Sequence, residues 1–194
     1  MASYHRTEQE TVQELVADKE LVAALKDERR QQRAFEELVN TYKERLYWHI
    51  RRIVIDHDDT DDVLQNTFIK VYRKIGGFKG NSKLYSWMYR IATNEALTFL
   101  KQKRRKIGLT ETDMQLRLAD ALEADVHFCG DEIQLKLQRA LATLPEKQKL
   151  VFNMKYFQDL KYGEISEILD TSVGALKTSY HLATKKIERY LKEA

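Results

Sequence analysis

The segment from Arg33 to Val54, RAFEELVNTYKERLYWHIRRIV, sets Phe35, Leu38, Val39, Tyr42, Leu46, Tyr47, Ile50, Ile53 and Val54 on one helical stripe and charges on the remainder. A segment patterned in this way is stable only as a helix with that stripe covered, so other helices must pack on it. One proline and seven glycines in 194 residues leave little punctuation for hairpins. The expected fold class is therefore all-α. The chain is long enough for two small domains, each with its own core.

Other segments repeat the pattern. Before the first strong element, Val12, Leu15, Val16, Leu21, Val22 and Leu25 fall at helical spacing and predict a short helix or two. The acid cluster from Asp56 to Asp62 lacks the glycine and distal glutamate of a calcium loop, and acids ahead of a helix suit its N-terminal dipole. The helix it opens, DDVLQNTFIKVYRKI, is expected to bury Val63 or Leu64, Thr67, Phe68, Val71, Tyr72 and Ile75. It leaves Asp61, Asp62, Gln65, Asn66, Ile69, Lys70 and Arg73 outside. Ile69 stands out in that polar surface.

The Gly76-Gly77 break then feeds GGFKGNSKLYSWMYRIATNEALTFLKQKRRK. At 100° per residue, Lys83, Trp87, Arg90, Asn94, Thr98, Lys101 and Arg105 form one stripe, opposite Leu84, Met88, Ile91, Ala92, Ala96, Phe99 and Leu100. Spaced cations with an amide, a hydroxyl and an indole suit a polyanion with stackable bases. The preceding loop adds Phe78, Lys79, Asn81, Ser82 and Tyr85, groups that can stack on an unpaired base, read its edge and hold its backbone. A solvated face with Trp87 at the edge of the core is the plainer reading of the same residues.

A net charge of only +3 conceals strong segregation. Seven basic residues oppose Glu95 alone between positions 83 and 106, seven acids oppose Arg117 alone between 107 and 133, and five bases oppose Glu188 alone between 171 and 192. Two basic surfaces thus flank an acidic joint. In that joint Met114, Leu118 and Leu122 suggest partial helix, and His127 with Cys129 falls short of the four ligands of a structural zinc site. No metal or other cofactor is expected.

From Ile133 the order returns. Ile133, Leu137, Ala140, Leu141 and Leu144 predict one helix, and Pro145 starts a second that runs from Glu146 to Phe157. A short helix from Tyr162 to Leu169, a turn at Asp170-Thr171 and a long basic helix from Ser172 or Val173 to Leu191 make a helix-turn-helix. Ile165, Ile168 and Leu169 are expected to face Leu176, Tyr180, Ala183 and Ile187. The outward positions are Ser172, Val173, Lys177, Thr178 and His181, followed by Lys185 and Lys186.

In this order, these motifs resemble the extracytoplasmic-function (ECF) group of bacterial sigma factors, over nearly the whole chain after about residue 20. DDVLQNTFIKVY, with Asp62, Gln65 and Phe68, is similar to region 2.2 of that family. The resemblance implies that Asp62, Gln65, Asn66, Ile69 and Lys70 dock on the β′ clamp helices of core RNA polymerase. FKGNSKLYSWMYRIATNEAL is similar to regions 2.3 and 2.4, which capture a flipped base of the −10 element and hold the non-template strand. This implies roles for Lys79, Asn81, Ser82, Lys83, Tyr85, Trp87, Arg90, Asn94, Lys101 and Arg105. LPEKQKLVFNMKYFQDLKYGEISEIL with SVGALKTSYHLATKKI is similar to region 4, which also meets the polymerase β flap and reads the −35 element. Ser172, Val173, Lys177, Thr178, His181 and Lys185 are its implied contacts. Ser179 stands where most relatives carry arginine, so no contact is expected there.

The expected organisation is an N-terminal extension over 1–19, a three- or four-helix region 2 domain over 20–106, an acidic linker over 107–132, and a helix-turn-helix region 4 domain over 133–194. By resemblance the linker threads the polymerase cleft. The expected partners are core RNA polymerase and promoter DNA, with room for an anti-sigma factor. No phosphate loop, nucleophile elbow or paired-histidine metal site points to catalysis. No apolar run approaches a membrane span, the N-terminus lacks the apolar stretch of a secretory signal, and the lone Cys129 suits a reducing cytoplasm. The rival is a free-standing helix-turn-helix regulator, which would dimerise on palindromes, where this chain offers two different readers. A helical adaptor without a nucleic-acid role fits the charge segregation poorly.

Overall fold

The computed structural model describes residues 8–110, 113–114, 117–118 and 132–193. Among these residues there are helices and no strands. Four helices build the first body: α1 (Glu8–Leu25), α2 (Gln31–Val54), α3 (His57–Lys74) and α4 (Leu84–Lys106). Four more build the second: α5 (Glu132–Ala142), α6 (Glu146–Phe152), α7 (Tyr162–Leu169) and α8 (Val173–Glu193). The linker acids Glu111, Asp120, Glu123, Asp125 and Asp131 lie outside the described residues, as does the His127 and Cys129 pair.

α2 is the central helix of the first body, with Leu38, Leu46 and Ile50 fully buried against α3 and α4. It ends at Ile55, whose left-handed φ of 72° is costly for a β-branched residue. Ile55 is also 1% exposed, and burying such a side chain contributes roughly 1.5–3 kcal/mol, enough to offset the strain of the corner. Asp56 then caps α3, its carboxylate accepting from the Asp59 N–H at 2.9 Å, and Asp59 pairs with Lys103 of α4. The acid cluster therefore starts one helix and ties down another. α1 is held by Leu21 and Leu25 in the core and by the Tyr42 hydroxyl donating to Asp18 at 2.6 Å. Lys26 donates to the Phe78 carbonyl at 2.7 Å, anchoring the loop before α4.

α3 buries both Val63 and Leu64, with Thr67, Phe68 and Val71, as its spacing predicts. Tyr72 departs from that prediction. It is 44% exposed, resting its ring edge on Phe35 at 5.0 Å while its hydroxyl donates to Gln31 at 3.1 Å, because an amphipathic ring can be half covered at the rim.

In the second body the segment after Pro145 is α-helical only to Phe152 and continues as a wider π-helical turn over Asn153–Phe157. Phe152 stacks on Tyr156 at 5.1 Å and on Tyr180 at 5.7 Å, and the Leu160 N–H closes the turn on the Met154 carbonyl. Such insertions widen a helix where side chains must be re-aimed. The expected pairing across the helix-turn-helix is also divided. Ala183 and Ile187 of α8 pack with Ala140, Leu141, Leu144 and Phe152, whereas Ile165, Ile168 and Leu176 join the core of the first body. The two bodies thus share one continuous apolar core, which also takes in Leu150, Val151, Met154 and Leu160.

A buried histidine sits at this junction. The Thr93 hydroxyl donates to the Tyr89 carbonyl at 2.8 Å, so it accepts from His49 Nε2 at 2.8 Å and leaves Nδ1 to accept from the Gln158 amide at 3.0 Å. Burial above all, with the nearby Arg52 charge, pushes His49 down to about 4. The unfolded chain takes up this proton near 6.5 and the folded chain near 4, so stability is lost as pH falls through that window. The loss reaches about 3 kcal/mol below it. Chemical unfolding of the parent and of His49→Gln at a series of pH values should show this part of the slope in the parent alone.

Candidate nucleic-acid interface

Three surfaces carry the residues singled out in the sequence. The first is the outer face of α3. Asp62, Gln65 and Asn66 are exposed, Ile69 is 41% exposed, and Lys70 is half covered because it pairs with Glu95 of α4. With Tyr72, Ile69 makes a small apolar patch inside a polar rim. Periodicity places Tyr72 in the core, and only its position near the end of the helix points to a rim.

The second surface is the loop and helix that follow. Gly80 takes φ 74°, a conformation glycine adopts freely, and this presents Lys79 and Asn81 to solvent with Ser82 partly covered. Phe78 turns inward and packs on Trp87 at 5.2 Å. Lys83 is the residue before α4, and Tyr85 lies in the first turn of the helix rather than on the loop. Tyr85 is only 2% exposed, and burial with the neighbouring Glu164 carboxylate pushes its hydroxyl well up. Further along, Arg90, Asn94, Thr98, Lys101 and Arg105 are exposed on one stripe, as the spacing predicts, while Leu84, Met88, Ala92 and Ala96 are buried opposite. Four basic residues, Lys103 to Lys106, close the helix and complement its C-terminal dipole. Asn94 and Lys101 line a cavity of about 590 Å³ between the bodies, together with Arg52, Arg104, Lys149 and Asn153.

The third surface is the start of α8. Ser172, Val173, Lys177, Thr178, His181 and Lys185 are all exposed, and Ser179 is partly covered. Ser172 Oγ accepts from the Ala175 N–H at 3.4 Å, so it helps start the helix. The Lys177 ammonium lies 5.9 Å from the centre of the Tyr162 ring, which steadies it at the helix-turn-helix corner.

Sequence reasoning missed the groups that link the second surface to the second body. The Glu164 carboxylate accepts from Lys83 at 2.8 Å, and Asp170 meets Arg90 at 3.5 Å. Glu164 three residues after Lys161 has the spacing of a helix-capping acid, and its second oxygen does accept from the Lys161 N–H at 2.9 Å. That signal marks a helix start and is silent about Lys83.

The geometry is two basic helical surfaces, one beside an open loop and one in a helix-turn-helix, on a single chain. The family model for sigma-70 region 2 matches residues 38–106, and that for sigma-70 region 4 matches residues 134–187. The chain is 30% identical over 182 residues to the RNA polymerase sigma-H factor of Pseudomonas aeruginosa, covering 90% of this chain and 93% of that one. It is 31% identical over 164 residues to the ECF RNA polymerase sigma-E factor of Haemophilus influenzae, covering 80% and 86%. The ECF RNA polymerase sigma factor SigW of Bacillus subtilis is 29% identical over 170 residues, covering 84% and 91%. Among solved structures, CnrH in complex with the cytosolic domain of CnrY shares the fold with a TM-score of 0.67 at 22% identity, covering 91% of this chain and 98% of that one. RpoE of Bartonella quintana with the anti-sigma factor NepR does so with a TM-score of 0.62 at 17% identity, covering 81% and 96%. The chain belongs to the sigma-70 family of RNA polymerase sigma factors, in its ECF group, and directs promoter-specific initiation of transcription.

Proposed function

We propose that three separate surfaces divide this work. The outer face of α3, centred on Ile69 with Asp62, Gln65, Asn66 and Lys70, docks on the β′ clamp helices of core RNA polymerase. The loop with Lys79, Asn81 and Ser82 and the stripe of α4 take the opened −10 strand. The start of α8, with Lys177 as its central cation, enters the major groove of the −35 element, and the second body meets the β flap. The observation that carries this division is the placement of a small exposed apolar patch, Ile69 with Tyr72, on α3 and of two exposed basic stripes on α4 and α8.

The protein has no catalytic step of its own in this reading. It acts in the cytoplasm beside the polymerase, and no helix among the described residues is long and apolar enough to cross a membrane. An anti-sigma factor would act by covering one or more of these surfaces.

Single substitutions separate the two readers. Lys177→Ala should cost roughly 1–3 kcal/mol of discrimination at the upstream element if the ammonium reaches a base edge, and leave strand opening intact once the complex forms. Asn81→Ala should spare upstream binding and reduce opening. Tyr85→Ala is a poor probe, because removing so buried a ring destabilises the fold itself. Footprinting of the upstream element with permanganate probing of the start region reads both effects. Equal loss of opening in Lys177→Ala, or normal opening in Asn81→Ala, would contradict the division.

A further inference from the structure

The cavity of about 590 Å³ between the bodies carries an excess of positive charge that its described wall does not balance. Along α4, Asn94, Thr98, Lys101 and Arg104 follow one another at three- and four-residue steps and so line it together. Arg52 enters from the end of α2, and Lys149 from α6 of the second body. Four cations thus meet one carboxylate among the described residues, that of Glu146 in the first turn of α6. Two of the four are desolvated without being paired. The Lys149 side chain is partly buried, and its ammonium makes no hydrogen bond or ion pair among the described residues. Burial pushes it down to about 8, with Glu146 opposing. Arg52 donates to the Trp48 carbonyl at 3.2 Å and lies 5.1 Å from the centre of the Phe157 ring, contacts that steady its fork but leave its charge unmet by any carboxylate among the described residues. A charge withdrawn from water is costly until an opposite charge joins it, so the arrangement suits an anion. Leu97, Leu100, Leu144 and Leu150 make an apolar wall, and the exposed Asn94, Thr98 and Lys101 mark an open rim.

We propose that this cavity is a binding site for a free nucleotide carrying two or more phosphates, held through its phosphates by Lys149, Arg52, Lys101 and Arg104 and through its base by the leucine wall. A cavity of this volume suits a ligand of nucleotide size, since small-molecule sites combine an apolar lining with a few convergent polar groups. Guanidinium forks and ammonium groups match phosphate oxygens. Asn94 and Thr98 at the rim supply hydrogen-bonding groups for the sugar or the edge of the base. The site is separate from the three surfaces assigned above, to none of which Arg52 and Lys149 belong. Its cations come from both bodies, so a bound nucleotide ties them together and raises the thermal stability of the free chain by mass action.

The test is titration calorimetry of the full chain with ADP in the absence of magnesium, beside inorganic pyrophosphate, fructose 1,6-bisphosphate and a single-stranded oligonucleotide. The expected result is saturable binding of ADP at one site, tighter than that of either probe lacking a base, with a raised unfolding midpoint. Lys149→Met should bind ADP about ten- to a hundredfold more weakly, the loss of one charge-assisted contact. The unliganded variant should unfold at the same or a higher temperature than the parent, because a desolvated and unpaired charge has been removed. Lys101→Ala, on the exposed rim, should weaken ADP binding by a smaller factor and serves if Lys149→Met is poorly folded. Absence of saturable ADP binding by the parent would overturn the proposal, as would an affinity unchanged by both substitutions or matched by fructose 1,6-bisphosphate. Binding of the oligonucleotide alone would give the cavity to the promoter strand instead. A lowered unfolding midpoint in unliganded, folded Lys149→Met would show that a group of the chain itself already meets the ammonium, and would overturn the proposal too.

Discussion

Ile69→Asp should abolish assembly with core polymerase at working concentrations, weakening association about 30- to 1,000-fold while leaving the protein folded. Ile69 is 41% exposed on α3 and takes no part in the shared core, so a charge there costs the isolated chain little. In an interface the same side chain would be the apolar centre of a rim formed by Asp62, Gln65 and Asn66. Truncating or charging such a central anchor typically costs about 2–4 kcal/mol, because the partner's apolar groups are left facing a desolvated carboxylate. Unchanged thermal unfolding with lost co-elution is the expected pair of observations. Full-strength holoenzyme formation by the variant would move the docking surface elsewhere.

The second large effect belongs to α4. Replacing Arg90, Lys101 and Arg105 together with alanine should reduce open-complex formation on the order of a hundredfold, since three charge-assisted contacts of about 1 kcal/mol each are lost. The salt dependence changes as well. Each phosphate released from a single strand alters the slope of log affinity against log salt by about 0.7, so the triple variant should lose about two units of slope. All three side chains are exposed on the stripe opposite Met88 and Ala92, so the core is untouched. Heparin-resistant complexes counted over a salt series provide the measurement. A fall in affinity with no change of slope would point to altered docking instead of lost phosphate contacts.

The first body was legible because its helices are amphipathic against one another. The stripe on α2 and, Tyr72 apart, the buried side of α3 follow from spacing alone, and the stripe on α4 emerges from Arg90 to Arg105, whereas Lys83 and Trp87 at its start are partly covered, Trp87 by packing on Phe78 at the edge of the core. Tyr72 shows where spacing fails, and Tyr85, expected on the loop, shows where a helix start read one turn late misplaces a ring. An angle on a helical wheel places a ring toward or away from the core but not how far a neighbouring element reaches over it, so Tyr72 is half exposed, while Tyr85 is buried in the first turn of α4 beside Glu164. The second body was legible as a helix-turn-helix, yet its relation to the first was not. Ile165, Ile168 and Leu176 are accounted for by the pairing of α7 with α8, and nothing in their spacing announces that the same residues continue into a core containing Leu46 and Met88. Glu164 and Asp170 look like ordinary capping and turn acids, and His49 like one polar position on an apolar helix, until the fold brings Lys83, Arg90 and Gln158 to them.

Reconstituted run-off transcription tests the central claim most directly. Core polymerase alone, the purified protein alone, and the two together are supplied with a template carrying paired −35 and −10 elements and with one in which the spacing between them is altered. The account predicts a discrete transcript only with both proteins and only at the native spacing, since two readers held at a fixed separation on polymerase gain avidity that neither has alone. Tight, sequence-specific binding of the isolated protein to duplex DNA, with no transcript in the presence of core polymerase, would contradict it.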